Sequence, residues 1–375
     1  MRTVYLAGDN IYSPLGPTTE ANMDALRQGI SGIRQHQKEI SPEPFYAALF
    51  APGDIPPDGS LSPFEQAIFL SASEALRSAG IQPVRGDQKM GFILSTTKGN
   101  ISLIENLADA PVPEERVSLN TSASLIADKL GITTEPLVVS HACISGLLAM
   151  ITGMRLIQSG QYDRLIIAGG DLISAFIFSG FRSFQAISTQ PCRPFDAGRD
   201  GISLGEAAAA VVLSAHPHPD NIVLAGGSVS NDANHISGPS RTGEELWLAI
   251  SRAMDQAGTK AEDIDFISAH GTATRYNDDM EAKAFHLASL NEVPVNSLKG
   301  YFGHTLGAAG ILESIVTIHS MKENQIIPTK GFSTPGTEKP INVVTKLKAT
   351  PLRKCLKTAS GFGGCNAAIV LVNES

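Results

Sequence analysis

Short runs of apolar and β-branched residues alternate along this chain with longer amphipathic stretches, a pattern typical of a layered α/β fold. Residues 137–140 predict one short buried strand. Residues 145–159 then predict a helix, and residues 165–170 predict the next strand. A strand, a crossover helix and a second strand in this order favour parallel pairing.

The chain also contains an internal repeat. Five segments recur in the same order, namely 4–8 and 223–226, 70–80 and 248–258, 91–95 and 265–269, 135–140 and 293–297, and 204–213 and 362–371. A single match between hydrophobic strands carries little weight, but five in one order indicate a duplication. We therefore predict two similar α/β halves, residues 1–217 and 218–375, with a ligand site in the cleft between them.

Composition narrows the class of protein mainly by exclusion. The chain has 375 residues, of which 42% are hydrophobic and 18% charged, so it is long enough for two cores and too apolar to be disordered. It has no run of about 18 uncharged apolar residues, and its first residues predict a strand and not a signal peptide. The formal net charge of −8 argues against nucleic-acid binding. We expect a soluble, cytoplasmic protein.

One of the four cysteines lies where reactive thiols are found. Cys143 falls between the predicted strand 137–140 and the predicted helix that follows it. Free N–H groups and the positive end of the helix dipole would favour a thiolate there, and such an elbow turns the side chain outward. Cys192, Cys355 and Cys365 lack this setting and are expected to be structural.

Two of the nine histidines lie in glycine-rich turns directly after predicted strands. His270 follows the strand 265–269, and His304 follows the strand 293–297. Because both strands belong to the second half, both imidazoles should project from the same edge of its sheet. Glycines in these turns permit close approach of a ligand, so the two histidines are candidate partners for the Cys143 thiol.

As a set, these motifs resemble the β-ketoacyl-[acyl carrier protein] synthases of the KAS I/II type, which have the thiolase fold. The similarity covers almost the whole chain. Its motifs are Gly8-x4-Ser13-Pro14-Leu15-Gly16, the Cys143 elbow, Arg193-Pro194-Phe195-Asp196, Arg199-Asp200-Gly201, His270-Gly271-Thr272-x-Thr274, Lys299-x4-His304 and Gly361-Phe362-Gly363-Gly364. The resemblance implies five α-β-α-β-α layers built from two βαβαβαββ halves, which agrees with the repeat.

The resemblance also implies roles for the residues of the site. Cys143 would be the nucleophile that accepts an acyl chain from carrier-protein phosphopantetheine as a thioester. His270 and His304 would donate hydrogen bonds from Nε2 to the thioester oxygen of malonyl-carrier protein, which promotes loss of CO2 and stabilises the enolate. Lys299 would hold the second histidine in place and tune its charge, and Glu313 would be the buried partner of that lysine.

Other implied contacts concern the oxyanion and the pantetheine arm. The N–H groups of Cys143 and Phe362 would form an oxyanion hole, and Phe362 would also gate the acyl pocket. Thr272 and Thr274 match the threonines that hydrogen-bond pantetheine. No metal or organic cofactor is implied, because pantetheine arrives on the substrate. The implied partners are an acyl carrier protein and a second subunit, in a homodimer or in a heterodimer with a related chain.

Two departures from the family pattern limit what the resemblance implies. The segment between Ser95 and Cys143 is shorter than in the family, where it usually helps to form the dimer interface and the acyl pocket. Acyl-chain length is therefore not implied, and the shorter segment favours a specialised polyketide or polyene role. After His270, the family's Thr-Pro-x-Gly-Asp is replaced by the sequence TRYND at residues 274–278, which leaves the path of this loop open.

Three functions of this fold stay open. The first is a condensing enzyme of fatty-acid or polyketide synthesis that joins an acyl thioester to malonyl-carrier protein. The second is a silent chain-length-factor subunit, which the presence of Cys143, His270 and His304 disfavours. The third is a Cys-His-Asn enzyme that primes with acyl-CoA, which His304 in place of asparagine disfavours. A local basic patch could bind a carrier protein despite the net charge, and its candidates are Arg199, Arg241 and Arg275.

Overall fold

The computed structural model describes residues 2–37, 40–105, 114–234 and 236–375. The strands are β1 (Tyr5–Tyr12), β2 (Arg34–His36), β3 (Phe45–Ala48), β4 (Met90–Ser95), β5 (Leu137–Val139), β6 (Arg164–Asp171), β7 (Leu204–Gly205), β8 (Ala207–Ser214), β9 (Ile222–Asn231), β10 (Phe266–Ser268), β11 (Val295–Asn296), β12 (Gln325–Ile326), β13 (Lys348–Ala349), β14 (Lys354–Gly361) and β15 (Cys365–Asn373). The α-helices are α1 (Thr19–Arg27), α2 (Pro63–Ser78), α3 (Leu119–Lys129), α4 (Ser145–Gln158), α5 (Ala175–Ser183), α6 (Glu244–Gln256), α7 (Arg275–Leu287), α8 (Lys299–Phe302) and α9 (Ala309–Glu323). Short 3-10 helices span Ile101–Ile104, Glu114–Val117, Ala261–Asp263 and Leu306–Ala308.

The order of the strands reveals the duplication. Ten strands are hydrogen-bonded in the order β11-β10-β14-β15-β9-β1-β8-β6-β4-β5. Outward from the contact between β1 and β9, the first half runs β1, β8, β6, β4, β5 and the second half runs β9, β15, β14, β10, β11. If the five strands of each half are numbered along the chain, both halves have the order first, fifth, fourth, second, third. In each half the fifth strand, β8 or β15, is antiparallel to both of its neighbours. The shared order matches the predicted repeat, and the boundary between residues 217 and 218 stays a prediction.

Helices occupy three layers around the two five-stranded halves. The helices α4 and α9 pack on each other and contact strands of both halves, so they form the middle layer. On one outer side α2 and α3 cover the first half, and on the other α6 and α7 cover the second. The predicted α-β-α-β-α order is therefore confirmed. The middle layer encloses one hydrophobic core shared by both halves, and each outer layer encloses a separate one.

The two middle helices touch through glycine. A Cβ added to Gly146 at the start of α4 would lie 2.8 Å from the carbonyl oxygen of Gly307, and one added to Gly310 on α9 would lie 2.4 Å from the backbone nitrogen of Leu147. No larger residue fits at either position without separating the helices. The chain therefore brings the beginnings of α4 and α9 into direct backbone contact.

The elements predicted around Cys143 are present, with one difference. The strand β5, the helix α4 and the strand β6 match the predicted ranges to within one residue at each end. The two strands are parallel to one another, but each pairs with β4, which lies between them. The prediction that β5 is buried is wrong, because it is the edge strand of the sheet and Leu137 is 38% exposed.

The hydrogen-bond register corrects one of the five repeat matches. Ile93 on β4 pairs with Ile167 on β6, and Ser268 on β10 pairs with Lys357 on β14. Ile167 and Lys357 are equivalent, since each lies three residues after the start of its strand and points into the middle layer, where Ile167 joins the hydrophobic core and Lys357 contacts α9. Ile93 thus corresponds to Ser268, whereas the sequence match places it opposite Ile267. The sequence match is off by one residue because short apolar strands look alike when shifted.

Candidate active site

Cys143 lies in the turn between β5 and α4, at the predicted elbow. Ala142 before it has a φ of +46°, a left-handed conformation that costs energy for a residue with a Cβ. The hydroxyl of Ser145 holds this turn, since it accepts from the His141 N–H at 2.7 Å and donates to the Ala142 carbonyl at 2.6 Å. The buried Cys143 side chain lines a cavity of about 440 Å³.

The protonation state of Cys143 differs from the expectation. Burial raises the pKa of its thiol to about 12, and the neighbouring Cys365 thiol adds to the rise. Lys299 and a hydrogen bond from the Phe362 N–H oppose it. The prediction that the helix start would favour a thiolate is therefore wrong, because loss of hydration outweighs these contributions. The resting side chain is a neutral thiol.

His270 follows β10 in a turn that the carboxylate of Glu281 holds. Its backbone N–H donates to Oε1 of Glu281 at 2.8 Å, and the N–H of Gly271 donates to Oε2 at 2.6 Å. Nζ of Lys299 lies 3.3 Å from Nδ1 of His270. Because an ammonium group can only donate, Nδ1 accepts and the ring proton is on Nε2. Burial, followed by the charge of Lys299, holds the pKa of His270 well below 6.5, so the ring is neutral.

His304 presents the same tautomer by a different contact. The backbone N–H of Leu306 donates to Nδ1 of His304 at 3.3 Å, which again places the ring proton on Nε2. Burial, followed by Lys299, also holds the pKa of this ring well below 6.5. Its Nε2 is buried and has no hydrogen-bond partner among the described residues. A buried donor without a partner is costly, and it is available to a ligand.

The thiol and both rings converge. One nitrogen of each histidine and Sγ of Cys143 all lie within 4.8 Å of one another, and the ring centroids are 5.1 Å apart. Sulfur and imidazole nitrogen are also ligands that zinc accepts. The nearby ammonium groups of Lys299 and Lys357 oppose a cation at this place. Two neutral N–H donors beside a thiol suit an oxygen that gains negative charge.

Lys299 and Glu313 form the implied pair, but with a different histidine. Nζ of Lys299 lies 2.6 Å from Oε1 of Glu313, and both side chains are buried. The ring that Lys299 contacts is that of His270, whereas the resemblance implied His304. The reason lies in the sheet: Lys299 follows β11, which is hydrogen-bonded to β10, so it extends toward the turn that carries His270.

Thr272 and Thr274 line the same cavity as Cys143, with their hydroxyl oxygens 2.9 Å apart. Oγ1 of Thr274 also accepts from the backbone N–H of Asn277 and thereby caps α7. The altered loop after the first histidine closes through Ala273, whose φ is +66°. The loop path left open by the sequence thus keeps both threonines on the cavity wall.

Phe362 occupies the turn between β14 and β15 and lies in an aromatic cluster. Phe181 and Phe184, at the end of α5, approach it with ring centroids 5.5 and 5.2 Å away. All three rings line the cavity. Sequence analysis missed the two α5 phenylalanines, because no local pattern places that helix against the turn.

Other buried polar residues support the two histidine turns and were not predicted to do so. Asp171 accepts from the Gly307 N–H at 2.8 Å and so holds the turn after His304. Glu281 holds the His270 turn through the two backbone N–H groups from which it accepts. No sequence signal marks Lys357 as buried, because a lysine in a strand ordinarily indicates exposure to solvent.

Comparisons with known proteins agree with this geometry. Residues 1–218 match the model of the β-ketoacyl synthase N-terminal domain, and residues 222–333 match that of the C-terminal domain. The chain is 30% identical to the putative mitochondrial 3-oxoacyl-[acyl-carrier-protein] synthase of Schizosaccharomyces pombe, with 98% of each chain covered. It is 29% identical to 3-oxoacyl-[acyl-carrier-protein] synthase 2 of Rhizobium meliloti, with 99% of each covered. The solved ishigamide ketosynthase/chain length factor is 27% identical over 100% of both chains, with a TM-score of 0.89. The chain therefore belongs to the β-ketoacyl synthase family of acyltransferases.

Proposed function

We propose that this protein is a 3-oxoacyl-[acyl carrier protein] synthase of fatty-acid or polyketide synthesis, which elongates an acyl chain bound to Cys143. The observation that carries the proposal is the convergence of a buried thiol with two imidazoles that both carry their proton on Nε2. One of these Nε2 atoms has no partner among the described residues, as a donor reserved for substrate requires.

The first half-reaction transfers the acyl chain to the enzyme. The sulfur of Cys143 attacks the thioester carbonyl of an acyl-carrier protein, the bond to the pantetheine sulfur breaks, and the thiol proton leaves with the pantetheine thiol. The backbone N–H groups of Cys143 and Phe362 stabilise the oxyanion formed on the way. Gly361 lets the two turns approach, since a Cβ there would lie 3.0 Å from the Cys143 nitrogen.

The second half-reaction forms the carbon–carbon bond. The thioester oxygen of malonyl-carrier protein accepts from Nε2–H of His270 and of His304. The carbon–carbon bond to the carboxylate breaks and CO2 leaves. The electron pair of that bond stays with the substrate and forms an enolate that these donors stabilise. The enolate carbon attacks the acyl carbonyl on Cys143, and the released sulfur takes a proton from solvent. The product is a β-ketoacyl-carrier protein longer by two carbons.

The partner is an acyl carrier protein that docks at the cavity mouth. Exposed Arg275 and Tyr276 lie at this mouth, and exposed Arg241 is the second basic candidate. Arg199 does not belong to the patch, because it is 5% exposed and its guanidinium donates to backbone carbonyls, including that of Gly336 at 2.6 Å. A carrier-protein contact at Arg275 would place the pantetheine arm along the threonine wall of the cavity.

Two further predictions concern assembly and location. We expect a second subunit, identical or related, and a solved relative pairs a ketosynthase with a chain length factor. We also keep the prediction of a cytoplasmic location. None of the helices in the described part of the chain is long and apolar enough to cross a membrane.

Intact-protein mass spectrometry with a panel of acyl-carrier proteins tests the proposal. We expect a mass gain of one acyl chain in the wild type and in Cys355→Ala, a buried cysteine outside the cavity, and none in Cys143→Ala. The panel also ranks acyl-chain lengths. A folded wild-type protein that no donor acylates would contradict the proposal and favour the chain-length-factor alternative.

A further inference from the structure

Lys357 is a fully buried lysine to which the steps above give no role. It lies on β14, and none of its surface is exposed. Its Nζ donates to the backbone carbonyl oxygens of Ser268 and Ala269 at 3.2 Å each and of Thr358 at 2.5 Å. The same Nζ forms an ion pair with Oε2 of Glu313 at 2.7 Å. Burial lowers the pKa of Lys357 and Glu313 opposes this fall, so its ammonium form depends on the carboxylate.

The carboxylate of Glu313 joins two lysines. Its Oε1 lies 2.6 Å from Nζ of Lys299, and its Oε2 lies 2.7 Å from Nζ of Lys357. Lys299 in turn contacts Nδ1 of His270 at 3.3 Å. The groups therefore form one continuous chain from Lys357 to the imidazole. Without Lys357, the carboxylate would lose the contact that limits rotation about its broad terminal torsion.

The first half of the molecule has no such chain at the equivalent positions. Lys357 corresponds to Ile167 in the strand register. Glu313 corresponds to Ala149, since each lies three residues after the glycine at which its helix touches the other middle helix. Ile167 and Ala149 both belong to the hydrophobic core. The fold therefore does not need charges here, and they are found in the half that carries the histidines.

We propose that Lys357 is a positioning residue for the condensation: it holds the second oxygen of Glu313, which fixes Lys299 on Nδ1 of His270 and keeps the Nε2–H of that ring directed at the malonyl thioester. This inference deepens the proposed function and rests on it. Lys357 touches neither substrate nor reacting atoms, and it acts through two other side chains.

The same charge acts on the protonation of both rings. The titratable groups around them are Cys143 before α4, Asp171 on β6, Glu281 on α7, Lys299 on α8, Glu313 on α9 and Lys357 on β14. Burial and Lys299 lower the pKa of both histidines most, and Lys357 adds to this. Removing the positive charge of Lys357 therefore raises the pKa of both histidines. Both rings then become protonated at a higher pH than in the wild type.

The test is Lys357→Met, which keeps an unbranched side chain one atom shorter and removes its charge. We expect acylation of Cys143 within about twofold of the wild type, because the first half-reaction does not use His270 as donor. Decarboxylation of malonyl-carrier protein should fall roughly 10- to 100-fold, as when groups that orient metal-bound histidines are removed. The acid limb of the rate–pH profile should move to higher pH. Lys354→Met, a partly exposed lysine of the same strand, is the matched control and should behave as the wild type.

Two further measurements keep the inference testable if Lys357→Met folds poorly. Lys357→Met combined with Glu313→Gln removes both charges of the pair, and this double variant should be no slower than Glu313→Gln alone, since both residues act through one contact. A multiplicative loss would overturn the chain of contacts. In the wild type, ¹⁵N NMR of labelled histidine should show both rings in the Nε2–H form below pH 6.5, and Nδ1–H forms would overturn it.

The outcomes separate this inference from the proposed function. A wild type that neither acylates Cys143 nor decarboxylates malonyl-carrier protein would overturn both. A wild type that does both, with Lys357→Met equal to it in rate and in pH profile, would overturn the role of Lys357 alone.

Discussion

The two halves of the molecule share a strand order, yet they fill equivalent interior positions with opposite chemistry. In the first half Ala149 and Ile167 pack in the hydrophobic core of the middle layer. In the second half Glu313 and Lys357 occupy those positions as an ion pair at 2.7 Å. Since one fold accepts both solutions, the buried charges are better explained by the chemistry of the histidines than by packing.

The halves also support each other's turns. Asp171 ends β6 in the first half, but it accepts from Gly307 of the second half at 2.8 Å. Glu281 stays within its own half and accepts from the His270 N–H at 2.8 Å. The turn that carries His304 is therefore held by a carboxylate of the other half, whereas the turn that carries His270 is held by a carboxylate of its own half.

The comparison first predicts that the core of the first half does not accept a charge. Ile167→Lys places an ammonium group where the first half has Ala149 in place of the Glu313 carboxylate, and we expect a loss of about 3–5 kcal/mol in unfolding free energy. Urea unfolding measures this as a lower midpoint at constant slope. The control is Ile104→Lys, at a residue 37% exposed, with an expected change within about 0.5 kcal/mol. An equally small change for Ile167→Lys would contradict the prediction that a lysine at this position needs a facing carboxylate.

The second prediction separates the chemistry of the halves. His304→Ala removes one of the two donors to the malonyl oxygen, and decarboxylation should fall roughly 10²–10³-fold. Acylation of Cys143 should persist, because the thiol and Phe362 N–H are unchanged. Malonyl decarboxylation and intact mass are measured in parallel. The control is His216→Ala, at an exposed loop residue of the first half. Decarboxylation at the wild-type rate in His304→Ala would remove this ring from the mechanism.

The third prediction concerns pH. Burial, then Lys299, lowers the pKa of His270 and of His304 in the folded protein below 6.5. Below pH 6.5 the unfolded chain therefore binds more protons than the folded protein does. The contribution of the two neutral rings to the unfolding free energy is fully present above that pH and is lost as the pH falls. Two rings contribute up to about 2.7 kcal/mol per pH unit. The unfolding free energy, measured at pH 7.5, 6.5 and 5.5, should depend less steeply on pH in the double variant His270→Gln/His304→Gln than in the wild type. An equal pH dependence in the two proteins would refute the assignment.

The smallest expected effect concerns the cavity wall. Thr272→Val removes a hydroxyl assigned to pantetheine, and we expect KM for the carrier-protein substrate to rise about three- to tenfold with kcat unchanged. The reason is that this contact is made equally in the ground and transition states. Steady-state kinetics measures the change in KM, with Thr337→Val, at a partly exposed threonine outside the cavity, as control. A fall in kcat at constant KM would mean that the hydroxyl acts in the chemical step.

The reacting residues could be predicted from the sequence because their signals are local. Cys143, His270 and His304 lie in short turns whose glycines and neighbouring strands are visible along the chain. The contact of Lys299 with His270 depends on which strands are neighbours in the sheet, and no local pattern contains that information. The role of Lys357 could not be predicted from the sequence, because a lysine without exposed surface is rare and its partner Glu313 lies 44 residues away along the chain.

The glycine contact between α4 and α9 has a mechanical consequence. One helix begins directly after the nucleophile and the other directly after a histidine turn, and they meet through peptide groups with no side chain between them. Close-packed backbone compresses far less than a layer of side chains or a hydrated gap. The distance from sulfur to imidazole should therefore hold under hydrostatic pressure until the protein itself unfolds.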